Sequence, residues 1–436
     1  MLIANTFTCN GTTSSQSGRR NHGSRSLYSI LPLVRYQGSE LSKMEALLED
    51  FPQDIVHPLK LFDIAKSEKR LLYTLAPMVR YGKLAFRQTV HDYGTDLCWT
   101  PMILAKEFNR NRFARDSDLT ISTNGPQPPT VVQFGANVPQ ELARASTLVA
   151  PYAGGVDLNC GCPQSWACAE TLGAALMEKR ELVRDMVVET REYLRRDGWG
   201  VGKEKDIDNP KGRSVSVKIR VHKDLRKTMD FITTVLGPSQ DRHIDWLTIH
   251  PRTRQTPSST PINVEALEIL TTTFGDQVPI LLSGDVFTLN SLPFTSPLLD
   301  PTNTPTFTSK SISTDNILRQ KQQSPLLNIP KLSGLMSARA ILANPALYAG
   351  YDACPWEALE TFMSHLARAP LPFKLVQHHL SEMCAPGMGP NKNALLTKPE
   401  RNAMLSCTNM VDLVDFLDEK AREKGYGDEF GMRRLV

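Results

Sequence analysis

The run Val156–Glu170, VDLNCGCPQSWACAE, places Cys160, Cys162 and Cys168 close together. Thiols at this spacing suggest metal ligation, a disulfide or a reactive sulfur. A structural zinc needs four ligands, and no second Cys or His pair stands at knuckle spacing, so no metal site is expected. A Cys160–Cys162 bridge would close a small strained ring. Eight cysteines at irregular intervals, with no secretory signal, point to a reducing compartment and free thiols. Strand alternation gives Cys160 and Cys162 the same parity, but the turn after Gly161 releases Cys162 into a loop. Cys162 is therefore the reactive candidate, as proton donor or nucleophile. Cys160 and Cys168 are expected to be buried packing residues.

Other residues carry possible chemistry. Lys218 stands among valines and an isoleucine in SVSVKIRV. Inside a protein its ammonium must meet an anion or lose its proton; pointing outward, it would only snorkel. His250 and Arg252 form a His-x-Arg pair, to be weighed against a satisfied core histidine. Ser283-Gly284-Asp285 and Ala338-Arg339 pair a glycine, which lets backbone N–H groups approach an anion, with a guanidinium fork. They suit a phosphorylated cofactor or substrate, or else make a β-turn and a surface ion pair.

These residues need elements to hold them. Eight short β-branched or apolar runs recur: Leu71–Met78, Asp96–Met102, Thr130–Ala136, Gly155–Gly161, Ser214–Val221, Asp245–Pro251, Val278–Asp285 and Lys331–Arg339. Helical patterns fall between them at Lys83–His91, Pro139–Val149, Ala167–Leu194, Asp224–Leu236 and Val264–Phe274. This alternation predicts an α/β chain folded as a (β/α)8 TIM barrel. A doubly wound sheet would need another strand count and an early glycine-rich phosphate loop. Such barrels place chemistry at the C-terminal strand ends. Those ends carry Ala76-Pro77-Met78, Pro101-Met102, Gln133, Asn159 with Cys162, Lys218 with Arg220, His250 with Arg252, Ser283-Gly284-Asp285 and Ala338-Arg339. After Gly350 the alternation gives way to helical patterns at Trp356–Leu366, Phe373–Cys384 and Ala403–Lys424, a small C-terminal helical domain.

The predicted organisation is a barrel over 68–350 and helices over 351–436. Residues 286–330, rich in Ser, Thr, Asn and Pro, are expected to form a largely disordered insertion. Residues 1–45 are expected to be a disordered or transit-like tail, because Met1–Ser39 contains arginines but no acidic residue. The predicted location is cytoplasmic or nuclear, with a mitochondrial destination as the alternative. With 41% hydrophobic and 22% charged residues and a net charge of +4, composition is that of a globular protein without a strong electrostatic bias. No apolar run is long enough to span a bilayer, so no membrane partner is expected.

The strand ends, APMVRYGKLAFR, DLCWTPMI, VVQFGAN, VDLNCGCPQ, VSVKIRVH, IHPRTR, SGDV and GLMSARAILANPALY, together resemble the tRNA-dihydrouridine synthase family. NCGCPQSWA and TRQTPSSTPIN are similar to the eukaryotic branch acting at positions 20a and 20b of the D-loop. The likeness covers Leu72 to Tyr351 and, more loosely, the helical tail. It implies an FMN enzyme that reduces the C5=C6 bond of uridine in tRNA with NADPH or NADH, as a monomer. By this resemblance Pro77, Met78 and Val79 line the flavin, Gln133 hydrogen-bonds its ring and Lys218 sits at its N1 edge. His250 contacts flavin or uracil. Ser283, Gly284, Asp285, Ala338 and Arg339 surround the phosphate and ribityl chain. Asn159 orients the uracil, with Arg220 and Arg252 also on the substrate side. Cys162 protonates C5 opposite a hydride delivered to C6.

Two positions depart from the family pattern. Ser283 replaces a usual asparagine, which implies weaker FMN binding, and Ala338 stands where many members have glycine. Lys374, His378, His379, Lys392, Lys398 and Arg401 of the tail offer a phosphate-tracking face for tRNA, or an ordinary solvated surface. The alternative functions are an FMN barrel oxidoreductase acting on a free pyrimidine and a non-catalytic tRNA-binding protein.

Overall fold

The computed structural model describes residues 55–122, 127–202, 206–299 and 326–426. The expected tail and the middle of the expected insertion, 300–325, lie outside the described residues. Nine parallel strands are present among the described residues: β1 (Leu72–Leu75), β2 (Leu97–Trp99), β3 (Ile103–Leu104), β4 (Thr130–Gly135), β5 (Gly155–Cys160), β6 (Ser214–Arg220), β7 (Trp246–His250), β8 (Ile280–Ser283) and β9 (Gly334–Ser337). Successive strands pair, save that β2 and β3 both pair with β4 and not with each other, and β1 pairs with both β2 and β9, which closes the barrel. The strands are almost wholly buried, as parallel strands covered on both faces must be.

Eight strands were expected, and the ninth arises from a proline. Pro101 has no N–H to give to a ladder, so β2 stops before it and β3 resumes pairing with β4 beyond it. The Thr100 hydroxyl fills the gap by accepting the Gln133 backbone N–H at 3.1 Å.

Helices α1 (Pro58–Ser67), α2 (Leu84–Asp92), α3 (Ala105–Arg110), α4 (Arg112–Asp118) and α5 (Pro139–Val149) are followed by α6 (Ser165–Ala169), α7 (Arg180–Arg196), α8 (Leu225–Leu236), α9 (Val264–Phe274) and α10 (Arg339–Ala343). The expected helix Ala167–Leu194 is thus broken, because Thr171 and Gly173 both adopt positive φ (55° and 59°). Helix α1 was not anticipated. It packs at the N-terminal strand ends, where Phe62 meets Trp246 with ring centroids 5.8 Å apart. Gly154 admits the chain entering α1, since a Cβ there would stand 2.8 Å from the Val56 carbonyl oxygen.

Helices α11 (Trp356–Arg368), α12 (Phe373–Met383), α13 (Lys398–Ser406) and α14 (Met410–Glu423) complete the chain. Asn409 separates the last two by capping α14, its side chain accepting from the N–H groups of Val411 and Asp412 at 3.0 Å each. Within residues 50–436 these helices and the barrel form one compact unit. The ends of the expected insertion are packed, with Phe294 and Ile329 buried and Thr295 bonded to both Leu327 and Ile329.

The tail corrects one expectation. His379 does not face solvent: it is buried against the rings of Tyr81, Phe86 and Phe362, with centroids 5.0, 4.9 and 4.9 Å away. Neither ring nitrogen has a hydrogen-bond partner among the described residues. Burial pushes the imidazole down to about 3. An unfolded histidine takes its proton near pH 6.5. The unfolded state therefore binds the extra proton as pH falls from about 6.5 toward about 3, and stability declines through that window. His379→Leu is expected to remove up to a few kcal/mol of this acid sensitivity. Melting temperatures of the two proteins should converge near neutrality and separate below about pH 5.

Candidate active site

The C-terminal strand ends assemble a continuous polar chain. Register pairs Gln133 with Asp157, Asp157 with Ser216, and Asn159 with Lys218. The buried Asp157 carboxylate accepts from Gln133 Nε2 and Ser216 Oγ, at 2.7 Å each. Gln133 Oε1 accepts from Asn159 Nδ2 at 2.8 Å. Asn159 Oδ1 then accepts the backbone N–H groups of Gly161 and Cys162, at 3.0 and 2.9 Å. The turn that presents Cys162 is therefore fixed from the barrel interior. Gln133 and Asn159 each donate one amide N–H within this chain.

Asp157 and Ser216 were missed as site residues. Their signal was present: Asp157 shares strand parity with Asn159, and Ser216 with Lys218 and Arg220. Burial raises the Asp157 pKa, against the opposing pull of its hydrogen bonds and of Lys218.

Cys162 is half-exposed, whereas Cys160 is fully buried and its thiol is pushed well up by burial. Cys168, expected to be buried, is half-exposed and donates its thiol to the Cys162 carbonyl oxygen at 3.7 Å. Ala174 N–H donates to the same oxygen at 2.8 Å. Gly173 lies directly against Cys162, where an added Cβ would stand 2.6 Å from its carbonyl oxygen and 2.8 Å from its Cβ. Gly173→Ala must strain a φ of 59° and push the cysteine turn aside. Turnover is expected to fall about 100-fold, the scale of a misplacement near 1 Å. Steady-state kinetics beside a melting curve will show whether activity falls further than stability.

Lys218 is half-buried beside Asn159, and no hydrogen bond or ion pair holds its ammonium among the described residues. Burial lowers it to about 8, with Asp157 and Cys162 opposing and Arg220 reinforcing the shift. His250 is lowered to about 2 by burial and by the charges of Lys218, Arg220, Arg252 and Arg339. It is neutral at ordinary pH. Its Nε2 accepts from Arg252 Nη1 at 3.0 Å, which puts the ring proton on Nδ1.

Arg220 and Arg252, expected on the substrate side, are both tied to the protein. Arg220 donates to the carbonyl oxygens of Gly161 and Thr253, at 2.8 Å each. Arg252 donates to the Thr260 carbonyl at 2.6 Å and pairs with Asp285, both side chains buried. The other Asp285 oxygen accepts from Ile262 N–H at 2.7 Å. Asp285 and Arg252 therefore fix the loops after β7 and β8, because a buried charge is stable only when fully paired.

Ser283 is buried at the end of β8. Gly284 has φ 113°, and a Cβ there would stand 3.0 Å from the His250 ring. Ala338 is the N-cap of α10, and the exposed Arg339 that follows it has no ion-pair partner among the described residues. Pro77 and Met78 are half-buried at the end of β1, while Val79 is 54% exposed at the rim. The mouth thus gathers four cations, Lys218, Arg220, Arg252 and Arg339, against the carboxylates of Asp157 and Asp285. That excess suits an anionic ligand. No cluster of candidate metal ligands and no helix long and apolar enough to cross a membrane occurs among the described residues.

A model of the dihydrouridine synthase (Dus) family matches residues 74–295, the stretch carrying β1 to β8. The chain is similar to tRNA-dihydrouridine(20a/20b) synthase (NAD(P)+) of Saccharomyces cerevisiae, at 34% identity over 84% of this chain and 85% of that one. It is 35% identical to the Schizosaccharomyces pombe protein of the same name, over 83% of this chain and 91% of the other. A Homo sapiens protein named tRNA-dihydrouridine(20a/20b) synthase (NAD(P)+)-like is 31% identical, over 83% of this chain and 93% of its own. The closed barrel, the tethered Cys162 turn and these similarities agree: the chain belongs to the dihydrouridine synthase family.

Proposed function

We propose that this protein reduces the C5=C6 bond of uridine at positions 20a and 20b of the tRNA D-loop, with resident FMN and with NADPH or NADH as reductant. The observation that carries the reading is the half-exposed Cys162, held by Asn159 beside the unpaired Lys218 at the barrel mouth. The residues fit a flavin phosphate. Lys218 and Arg339 are cations without a carboxylate partner among the described residues, and Gly284, at φ 113°, lets the backbone pass close to the His250 ring where a side chain would not fit. Bound FMN supplies the electron pair, as hydride to C6.

The chain's own groups do the rest. Lys218 offers positive charge where negative charge accumulates. The amide groups of Gln133 and Asn159 orient polar edges of the bound rings. The Cys162 thiol gives its proton to C5, leaving a thiolate that solvent reprotonates. A uridine must leave its stack to reach this depth, which is easier in a loop than in a duplex. Lys374, His378 and Lys398 are exposed on the C-terminal helices and available to phosphates.

Single-turnover reoxidation of NADPH-reduced protein tests the assignment. Unmodified tRNA is expected to reoxidise the flavin far faster than free uracil does. Equal rates would assign a free pyrimidine as substrate, and a purified protein that takes up no flavin would remove the enzymatic reading.

A further inference from the structure

Several large apolar side chains are exposed along the outer helices, but three stand after the C-terminal ends of β1, β4 and β5. These are Val79, Val138 and Trp166, and they share the end of the barrel that carries Cys162. The cations Lys218, Arg220, Arg252 and Arg339 follow or end β6, β7 and β9. Exposed apolar side chains thus follow β1, β4 and β5, while the cations of the mouth stand on or just after β6, β7 and β9.

Trp166 is 45% exposed and makes no ring contact among the described residues. It is only four residues beyond Cys162. Its indole N–H is already satisfied by the Gln164 side chain, so the ring needs no further polar partner. The turn beneath it is held firmly. Ala167 is buried, Cys168 N–H bonds to the Gln164 carbonyl at 3.0 Å, and Asn137 Nδ2 donates to the Glu170 carbonyl at 2.7 Å. An apolar ring that is exposed yet fixed in place is prepared for a flat partner.

We propose that Trp166 stacks on the nucleotide adjoining the reacting uridine, a positioning role that rests on the tRNA reading above. When a uridine leaves its stack, its neighbour loses a base from one face. An indole beside the acid replaces that face, while the cations of the mouth take the phosphates. Stacking here favours the extruded state of the uridine and so orients it toward Cys162.

The test compares Trp166→Ala, Trp166→Phe and Trp166→Leu for binding of an unmodified tRNA transcript. Alanine is expected to weaken binding about tenfold, the loss typical of one stacked base. Phenylalanine should restore most of it and leucine should not. Trp99, Trp246 and Trp356 are buried and Trp199 is half-buried, so in a Trp199→Phe background tRNA should quench an exposed indole component that is missing once Trp166→Phe is added. Unchanged affinity in Trp166→Ala, rescue by leucine equal to that by phenylalanine, or a quench that persists once Trp166→Phe is added would each overturn the stacking role. Those results leave the tRNA reading standing. If the wild type bound no tRNA, both would fall together.

Discussion

Cys162→Ala is expected to lower dihydrouridine formation by about 100- to 10,000-fold while leaving the protein folded and able to bind flavin. The side chain is half-exposed rather than packed in the core, so its removal opens no cavity. The contacts that hold the turn also survive. Asn159 binds the backbone N–H of residue 162, and Ala174 binds its carbonyl, neither through sulfur. On the proposed mechanism, what alanine lacks is the proton. Single-turnover reoxidation by tRNA should slow by the full factor, and mapping of dihydrouridine in tRNA from cells carrying the variant should show loss at neighbouring D-loop sites. An unchanged map would remove Cys162 from the mechanism.

Lys218→Met is expected to act on function and stability in opposite directions. Methionine keeps the unbranched shape and removes the charge. Loss of a positioned cation facing developing negative charge should slow turnover by about 100-fold or more. Burial sets the Lys218 ammonium at about 8, whereas an unfolded lysine holds its proton to about 10.4. Between those values the unfolded state binds the extra proton. The penalty for burying the charge is therefore full below about pH 8 and disappears above about 10.4. The ligand-free Lys218→Met protein should be more stable than wild type by about 1–2 kcal/mol at neutral pH, with the difference shrinking as pH rises. Denaturant unfolding at several pH values measures this directly. A destabilised, fully active variant would assign Lys218 to packing alone.

The pattern of site residues was legible because a barrel maps sequence onto space simply. Strand ends face one mouth, and period-two alternation decides which side chains point inward. The placement of Gln133, Asn159, Lys218 and His250 on the strands followed from that rule, and that of Cys162 from the turn after Gly161. The same rule held Asp157 and Ser216, which were passed over because parity within a single strand names no partner.

Pairing across strands was not legible. Arg220 and Arg252 stand where substrate arginines would stand, and only the tertiary structure shows their guanidinium groups bound to Gly161, Thr253, Thr260 and Asp285. The C-terminal helices show the same limit, since composition put His379 on a basic surface and packing put it among three aromatic rings. The sequence by itself determined the barrel, its mouth and which polar side chains stand at the strand ends, because local periodicity and strand order suffice for these. Only the tertiary structure decided which charges remain free for a ligand, since that depends on partners far apart in the chain meeting within about 3 Å.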